Sequence, residues 1–244
     1  MKIPGVEVRR VEHCGSTNTV LLREAGLAAP VLLIAAEQTA GRGRRGRRWH
    51  SAPGSGLTFS LARVVRRPAR ELAALSLVAG VAAARALRAL GAPVELKWPN
   101  DLVAGGGKLG GILVETRAAG RGTLAVFGIG INLRGAAELA RRLRRPVASL
   151  DQFIAPREGD VVAGIAACLM TAIDAFEAGG FETARTDWES MHAYAGQRLK
   201  VRLADGRSVT GIAAGLADDG ALSLRTRAGM RAIRSGRVVS ARAA

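Results

Sequence analysis

The sequence predicts an α+β fold: a mixed β-sheet flanked by helices, followed by a small C-terminal β-barrel. Three observations predict it. Apolar runs of strand length outnumber helical stretches and do not alternate with them regularly, which excludes a repeating βαβ array. Composition shifts near Ala195-Gly196, after which short alternating runs are punctuated by Asp205-Gly206, Asp218-Asp219-Gly220 and Arg227-Ala228-Gly229. Asp-Gly between such runs is a hairpin signal, and four or five short strands in so few residues imply a small barrel. Finally, 244 residues at 48% hydrophobic content suffice for one full domain and a small one, and exclude wholesale disorder. The predicted division is 1–194 and 195–244.

Each element has a local reason. Ser16-Thr17-Asn18-Thr19 precedes the apolar stretch 20–25 and Gly26, which reads as an N-capped two-turn helix closed by a glycine. Val31-Leu32-Leu33-Ile34-Ala35 is unbroken and β-branched, as a buried strand is. Leu57-Thr58-Phe59-Ser60-Leu61 alternates and predicts another strand. An Ala/Leu-rich helix follows over 68–90, ended by Gly91 and Pro93. A strand over 94–98 runs into the turn Pro99-Asn100-Asp101, and two more are predicted over 111–115 and 124–132. Residues 134–160 show no clear periodicity and predict a loop, either mobile or ordered by ligand, with one short helix. Val161, Val162, Ile165, Leu169, Ile173 and Phe176 sit at helical spacing before Gly179-Gly180.

Composition also bounds function. The formal charge of +16 is extreme and comes mostly from arginine. It reflects either a general enrichment of surface arginine or an anionic partner. From Ala195 onward ten Lys and Arg stand against three Asp, so the barrel is disproportionately basic. Cys14 and Cys168 are distant and belong to no C-x-x-C, which fits reduced thiols. His13, His50 and His192 lack metal-ligand spacing. No apolar leader opens the chain, and the uncharged, Ala-rich stretch 72–84 is too short to span a bilayer. The expectation is a soluble cytoplasmic protein with no membrane partner.

The segment Gln38-Thr39-Ala40-Gly41-Arg42-Gly43-Arg44-Arg45-Gly46-Arg47-Arg48-Trp49 carries the densest chemistry. Glycines let backbone approach a ligand, and arginines supply forked donors for phosphate and carboxylate oxygens. A solvated basic loop is the plain alternative. Gly41 to Gly46 also matches G-x-G-x-x-G, but a dinucleotide site needs a helix opening on the loop and an acid about 20 residues on. Here Ser51-Ala52-Pro53-Gly54 follows and no acid lies between Glu37 and Glu71, so that reading fails. A second cluster joins Lys97-Trp98-Pro99-Asn100-Asp101 to Lys108-Leu109-Gly110-Gly111-Ile112-Leu113-Val114-Glu115 across the Gly105-Gly106-Gly107 turn. Lys108 is either delivered to a site or is only a solvated strand flank. In Gly128-Ile129-Gly130-Ile131-Asn132, glycines inside a strand predict close packing on its face. Asn132 reads a base or phosphate there, or merely ends the strand.

Taken in order, Ser16-Thr17-Asn18, the Gln38–Trp49 loop, Lys97 to Asp101, Lys108 to Glu115 and Gly128 to Asn132 resemble the motif series of biotin protein ligases. The resemblance extends weakly through Trp188-Glu189 and Gly220-Ala221-Leu222. It implies a sheet like that of class II aminoacyl-tRNA synthetases and a C-terminal SH3-like barrel. It also implies two half-reactions: biotin and MgATP give biotinoyl-AMP and pyrophosphate, then a lysine of biotin carboxyl carrier protein takes the biotinoyl group. By position, Ser16, Thr17, Asn18 and Gln38 would surround the biotin rings. Arg42, Gly43 and Arg44 would close over the carboxylate and adenylate phosphate, with Arg45 and Trp49 on the nucleotide. Lys108 would touch the carboxylate and α-phosphate. Asn100 and Asp101 would hold phosphate and Mg²⁺, Asn132 would lie near adenine, and Asp101 is the base nominated for the acceptor lysine. Lys108, Arg44 and Asp101 are thus the expected catalytic set, with no dedicated metal site.

Two departures from that pattern stand out. Ser16 lies too near Met1 for the N-terminal repressor domain of many bacterial members, which predicts a ligase without operator DNA binding. Where some relatives stack a tryptophan on adenine, the nearest register here gives Val147, which leaves adenine packing and homodimerisation open. A lipoate ligase is the alternative within enzymes; Gln38 with the arginine loop favours biotin, whose bicyclic urea needs polar partners. A nucleic-acid-binding module is the alternative outside enzymes, but stacking aromatics are scarce and no recognition motif is present.

Overall fold

The computed structural model describes residues 1–24, 26–50, 54–120 and 122–243. Seven strands form the larger sheet: β1 (Glu7–Cys14), β2 (Val31–Gln38), β3 (Gly56–Val65), β4 (Glu95–Lys97), β5 (Asp101–Ala104), β6 (Gly107–Ala119) and β7 (Gly122–Asn132), in the order β1-β2-β3-β7-β6-β5-β4. Only β1 and β2 pair in parallel, so the sheet is mixed as predicted. Strand β1 was not legible in the sequence. It lies at the edge with its side chains mostly exposed, so Glu7, Arg9, Arg10, Glu12 and His13 stand where a buried strand would alternate apolar and polar.

The helices are α1 (Thr17–Arg23), α2 (Leu75–Ala89), α3 (Ala136–Leu143), α4 (Glu158–Gly179) and α5 (Glu182–Ser190). The helix expected over 68–90 is divided: a 3₁₀ stretch, Ala69–Ala74, leads into α2, and Gly91 ends it with a positive φ of 97°. Helix α1 stops at Arg23, before Gly26, and Ser16 occupies the N-cap without a side-chain cap bond. Its hydroxyl is not what starts the helix. Residues 134–160 contain the one short helix expected there, α3, and in addition a 3₁₀ turn, Leu150–Gln152, capped reciprocally by Ser149 and Gln152.

Strand alternation divides the sheet into two faces. One carries Leu57, Phe59, Leu61, Ala125, Phe127, Ile129 and Ile131, buried beneath α2 and α4 in the main core. Two helical stretches, Ala69–Ala89 and Glu158–Gly179, are long and apolar enough to cross a membrane by length and composition alone. Both turn their buried residues onto this core. The other face begins apolar, where Val31, Leu33, Ala62, Leu124 and Val126 pack under Leu21 of α1. Further along the same strands it becomes small and polar: Thr58, Ser60, Gly128 and Gly130. That change in one face lays the floor of the site.

The C-terminal unit is antiparallel, with β8 (Arg198–Arg202), β9 (Ser208–Leu216), β10 (Leu222–Thr226), β11 (Gly229–Ile233) and β12 (Arg237–Arg242) in the order β11-β10-β9-β8-β12. Its turns fall where Asp205-Gly206, Asp218-Asp219-Gly220 and Arg227-Ala228-Gly229 predicted them, and Gly206, Gly220 and Gly229 all have positive φ. Polar contacts seat it on the larger unit. The Glu189 carboxylate accepts from the Leu216 amide at 2.7 Å, Arg185 donates to the Leu216 carbonyl at 2.7 Å and to Asp218 at 2.8 Å, and the Trp98 indole donates to the Gly220 carbonyl at 3.2 Å.

Candidate active site

Register builds the floor. Lys97 pairs with Asp101, Asp101 with Gly111, Gly111 with Gly130, Gly130 with Thr58 and Thr58 with Ala35. Directly opposed residues share a face, so one row runs from two charged side chains, across two glycines, to a hydroxyl. The neighbouring row is Leu113, Gly128, Ser60 and Leu33. The glycines are room for other side chains. A Cβ on Gly128 would sit 2.3 Å from Asn18 Oδ1, and one on Gly130 2.3 Å from the Trp49 ring. Here is the close packing that glycines within this strand predicted.

A cavity of about 460 Å³ lies over these rows. Its neutral end is a buried polar network. The Gln38 side-chain carbonyl accepts from the Thr17 amide at 2.8 Å and its hydroxyl at 3.1 Å, and the Thr17 and Ser60 hydroxyls lie 2.6 Å apart. Ser60 donates to Asn18 Oδ1 at 2.6 Å, while Asn18 Nδ2 donates to the Leu113 carbonyl at 3.1 Å and to Glu115 at 2.9 Å. Buried polar groups satisfied in this way specify one arrangement, because any broken link leaves a partner desolvated.

The arginine loop closes over the cavity. Backbone bonds from Trp49 to Gly41 (2.9 Å) and from Gly43 to Arg47 (2.6 Å) pinch its base. At its tip Arg45 and Gly46 both take positive φ, 58° and 69°. Among the described residues no α-helix opens on the loop, where a 3₁₀ turn, Arg44–Gly46, precedes β3, in line with the rejection of a dinucleotide site. The expected Ser51-Ala52-Pro53 turn lies outside the described residues. Arg42 reaches back to Glu115, its Nη2 at 2.7 and 2.9 Å from the two carboxylate oxygens. Trp49 lies over the paired glycines, with its indole nitrogen buried and without a hydrogen-bond partner.

The other end is cationic. Lys108 is turned inward by the β5–β6 hairpin, where Gly105 and Gly106 take positive φ, and its ammonium bonds Asp101. Asp101 is the only carboxylate among the described lining residues, against Arg42, Arg44, Arg45, Arg47, Arg48, Lys97, Lys108, Arg145 and Arg237. The crowding shows in the titration of these groups. Arg44 is held below its ordinary value by burial and by Arg45, with Asp101 opposing. Lys97 is lowered by burial, against the pull of Asp101, with Lys108, Arg145 and Arg237 adding to the depression. Arg237 of β12 is lowered by burial and by Arg47, Arg202 and Arg45. Cations gathered at such a cost form a receptor for a polyanion.

Residues 2–132 match the biotin/lipoate A/B protein ligase family, and residues 194–239 match the biotin protein ligase C-terminal domain. The chain belongs to the biotin protein ligases. It is 37% identical over 232 residues to the biotin–[acetyl-CoA-carboxylase] ligase of Paracoccus denitrificans, covering 89% of this ligase and 94% of that one. It is 35% identical over 233 residues to the bifunctional ligase/repressor BirA of Escherichia coli, covering 91% and 70%. Among solved structures, biotin protein ligase from Aquifex aeolicus in complex with biotin and ATP superposes with a TM-score of 0.81 at 28% identity, covering 98% and 99%.

Most expected site residues of this ligase come together. Ser16, Thr17, Asn18, Gln38, Arg42, Gly43, Arg44, Arg45, Trp49, Asn100, Asp101 and Lys108 all line the one cavity. Asn132 is the exception. It is not among the lining residues, and its Nδ2 donates to the Lys108 carbonyl at 3.1 Å and the Ala148 carbonyl at 3.0 Å, where the segment around Val147 bridges to Lys108. It therefore clasps two backbone segments beneath the site, nearer the plain strand-ending reading than contact with a base. Asn100 is likewise engaged, donating to the Ile112 carbonyl at 2.6 Å. Sequence reasoning quoted Lys97 and Glu115 within motifs without giving them a role, and missed Ser60 and the β12 segment with Arg237 as parts of the site. Ser60 had a signal: with Thr58 it is one of two hydroxyls alternating with buried apolar residues in β3. Arg237 had none, because only the docking of the second sheet brings it near.

Proposed function

We propose that this ligase activates biotin with MgATP and transfers it to a lysine of a biotin carboxyl carrier protein. The observation that carries the reading is the cavity's division into a neutral hydrogen-bonding end and a cationic end. Biotin offers a neutral urea at one end and a carboxylate at the other, and ATP adds a triphosphate. With the Gln38 carbonyl engaged by Thr17, its amide N–H group is left to donate, which suits the urea oxygen.

In the first half-reaction a biotin carboxylate oxygen attacks the α-phosphorus and the bond to the bridging β-oxygen breaks, releasing pyrophosphate. Both reactants are anions, so fixed cations must cancel their repulsion and the charge on the pentavalent phosphorus. We assign this to Arg44 and Lys108, with Arg45 and Arg47 nearest the departing pyrophosphate. In the second, the lysine nitrogen attacks the acyl carbon, the carbon–oxygen bond to AMP breaks, and the amine loses its proton. We assign that proton to Asp101, the only lining carboxylate among the described residues. Mg²⁺ would arrive with the nucleotide, and Asp101, with Asn100 beside it, would help hold it against the phosphates.

Pyrophosphate release from MgATP, followed separately with biotin and with lipoate, tests the reading. Release with biotin should fall by about 10²–10³ in Arg44→Ala and in Lys108→Ala. Release with lipoate alone would assign the other acid, and release with neither would refute adenylation.

A further inference from the structure

Position suggested that Arg42 reaches over the reacting carboxylate. Its guanidinium is instead committed elsewhere. Both carboxylate oxygens of Glu115 lie within 2.9 Å of Arg42 Nη2, whereas Arg44, Arg45 and Arg47 form no ion pair with an acid among the described residues. Glu115 is on β6, outside the cavity wall, with a side chain only 26% exposed. The same carboxylate accepts from Asn18 Nδ2 at 2.9 Å. Both hydrogens of the Asn18 amide are thus occupied, and its carbonyl is held by Ser60. One carboxylate therefore joins the mobile-composition loop, rich in glycine, to the rigid network at the neutral end.

We propose that Glu115 is a positioning residue, the latch post that holds the arginine loop closed over the acid-binding end through Arg42 and keeps Asn18 oriented at the same time. Arg42 is then a tether, and the charge that meets the substrates comes from Arg44, Arg45 and Lys108. Closure carries Trp49 onto Gly130 and Gly111, so the latch also sets the roof of the cavity. The inference rests on the proposed reading for its kinetic consequence but not for its structural one.

The structural readout is tryptophan quenching. Trp98 and Trp188 are 2% and 1% exposed, so acrylamide reports chiefly on Trp49, which is partly exposed. In ligand-free protein Glu115→Gln should raise the quenching constant, and Arg42→Gln, which approaches the pair from the exposed side, should raise it equally. The double variant should match either single variant, because both break one contact. In pyrophosphate release the KM for biotin should rise about tenfold in each while kcat stays within about twofold, since a pre-equilibrium opening taxes apparent affinity by the closed fraction. The charge-exchanged protein, Arg42→Glu with Glu115→Arg, should recover part of the loss. Unchanged quenching in Arg42→Gln, or additive losses in the double variant, would overturn the latch. Absence of biotin-dependent release in the wild type would instead refute the functional reading and leave the quenching result standing.

Discussion

His192 gives a stability prediction that can be worked through from its surroundings. It lies in the connection from α5 to β8, where its segment is clipped to β4: the Leu96 amide donates to the Met191 carbonyl at 2.8 Å and the Ala193 amide to the Leu96 carbonyl at 2.9 Å. The ring is 7% exposed, stacked at 4.7 Å on Trp188 and edge-on to Tyr194 at 6.3 Å, and its Nε2 is buried with no hydrogen-bond partner. Burial alone pushes its pKa down to about 4 from 6.5. The sign follows from proton uptake: between these values the unfolded chain binds a proton that the folded chain does not. Stability is therefore intact above about pH 6.5, falls as pH drops below it, and levels off near pH 4. At 1.36 kcal/mol per pH unit the loss is about 2 kcal/mol at pH 5 and about 3 kcal/mol in full.

Urea unfolding of wild type and His192→Leu from about pH 8 to pH 5 isolates this contribution, because general acid repulsion in so basic a chain is common to both. Leucine loses the ring contact at every pH, so only the slope of the difference matters. The variant should gain on the wild type by about 2 kcal/mol across that range. Parallel curves would show that the imidazole is not held neutral and would refute the argument.

Three further outcomes follow from the site. Ser60→Ala removes the hydroxyl joining Thr17 to Asn18 and leaves Asn18 Oδ1 without its donor, while Thr17 keeps Gln38, so the KM for biotin should rise about tenfold with little change in the KM for ATP; equal changes would detach Ser60 from the neutral end. Gly130→Ala places a methyl inside the Trp49 ring, so the loop must lift, and quenching of Trp49 by acrylamide should increase with a loss of about 1–3 kcal/mol in closed-state stability. If the excess positive charge steers an acidic carrier domain, biotin transfer should slow as salt rises while pyrophosphate release changes little; parallel salt dependences would refute steering.

Much of this architecture was legible because the strands that matter are buried. An unbroken apolar run located β2 and alternation located β3, and the glycines at 128 and 130 of β7 announced that side chains would lie on that strand. Asp-Gly turns placed the hairpins of the second sheet. Strand β1 escaped notice because an exposed edge needs no apolar alternation, and α5 because only Ala184 and Trp188 of its nine residues are buried. Within the site, the side chains of the motifs were found but their partners were not. Glu115 was visible only as the end of a motif, since nothing local shows that an arginine from residue 42 will reach it. Asn132 misled in the opposite direction: an asparagine at a strand end beside a cavity serves equally to bind a ligand or to clasp the backbone, and only its two carbonyl partners decide.

Gly236, Arg237, Val238 and Val239 line the cavity, and Arg45 donates to Ser235 at 2.8 Å. The most C-terminal strand described is thus part of a wall whose opposite side is formed by residues 16–18. During synthesis the sheet that carries the floor leaves the ribosome long before β12 does. A chain from which β12 has yet to emerge holds the residues of the floor and the arginine loop but not the stretch of wall that Gly236, Arg237, Val238 and Val239 supply. Enclosure of the site therefore depends on residues near both extremes of the described chain and not on the larger sheet alone.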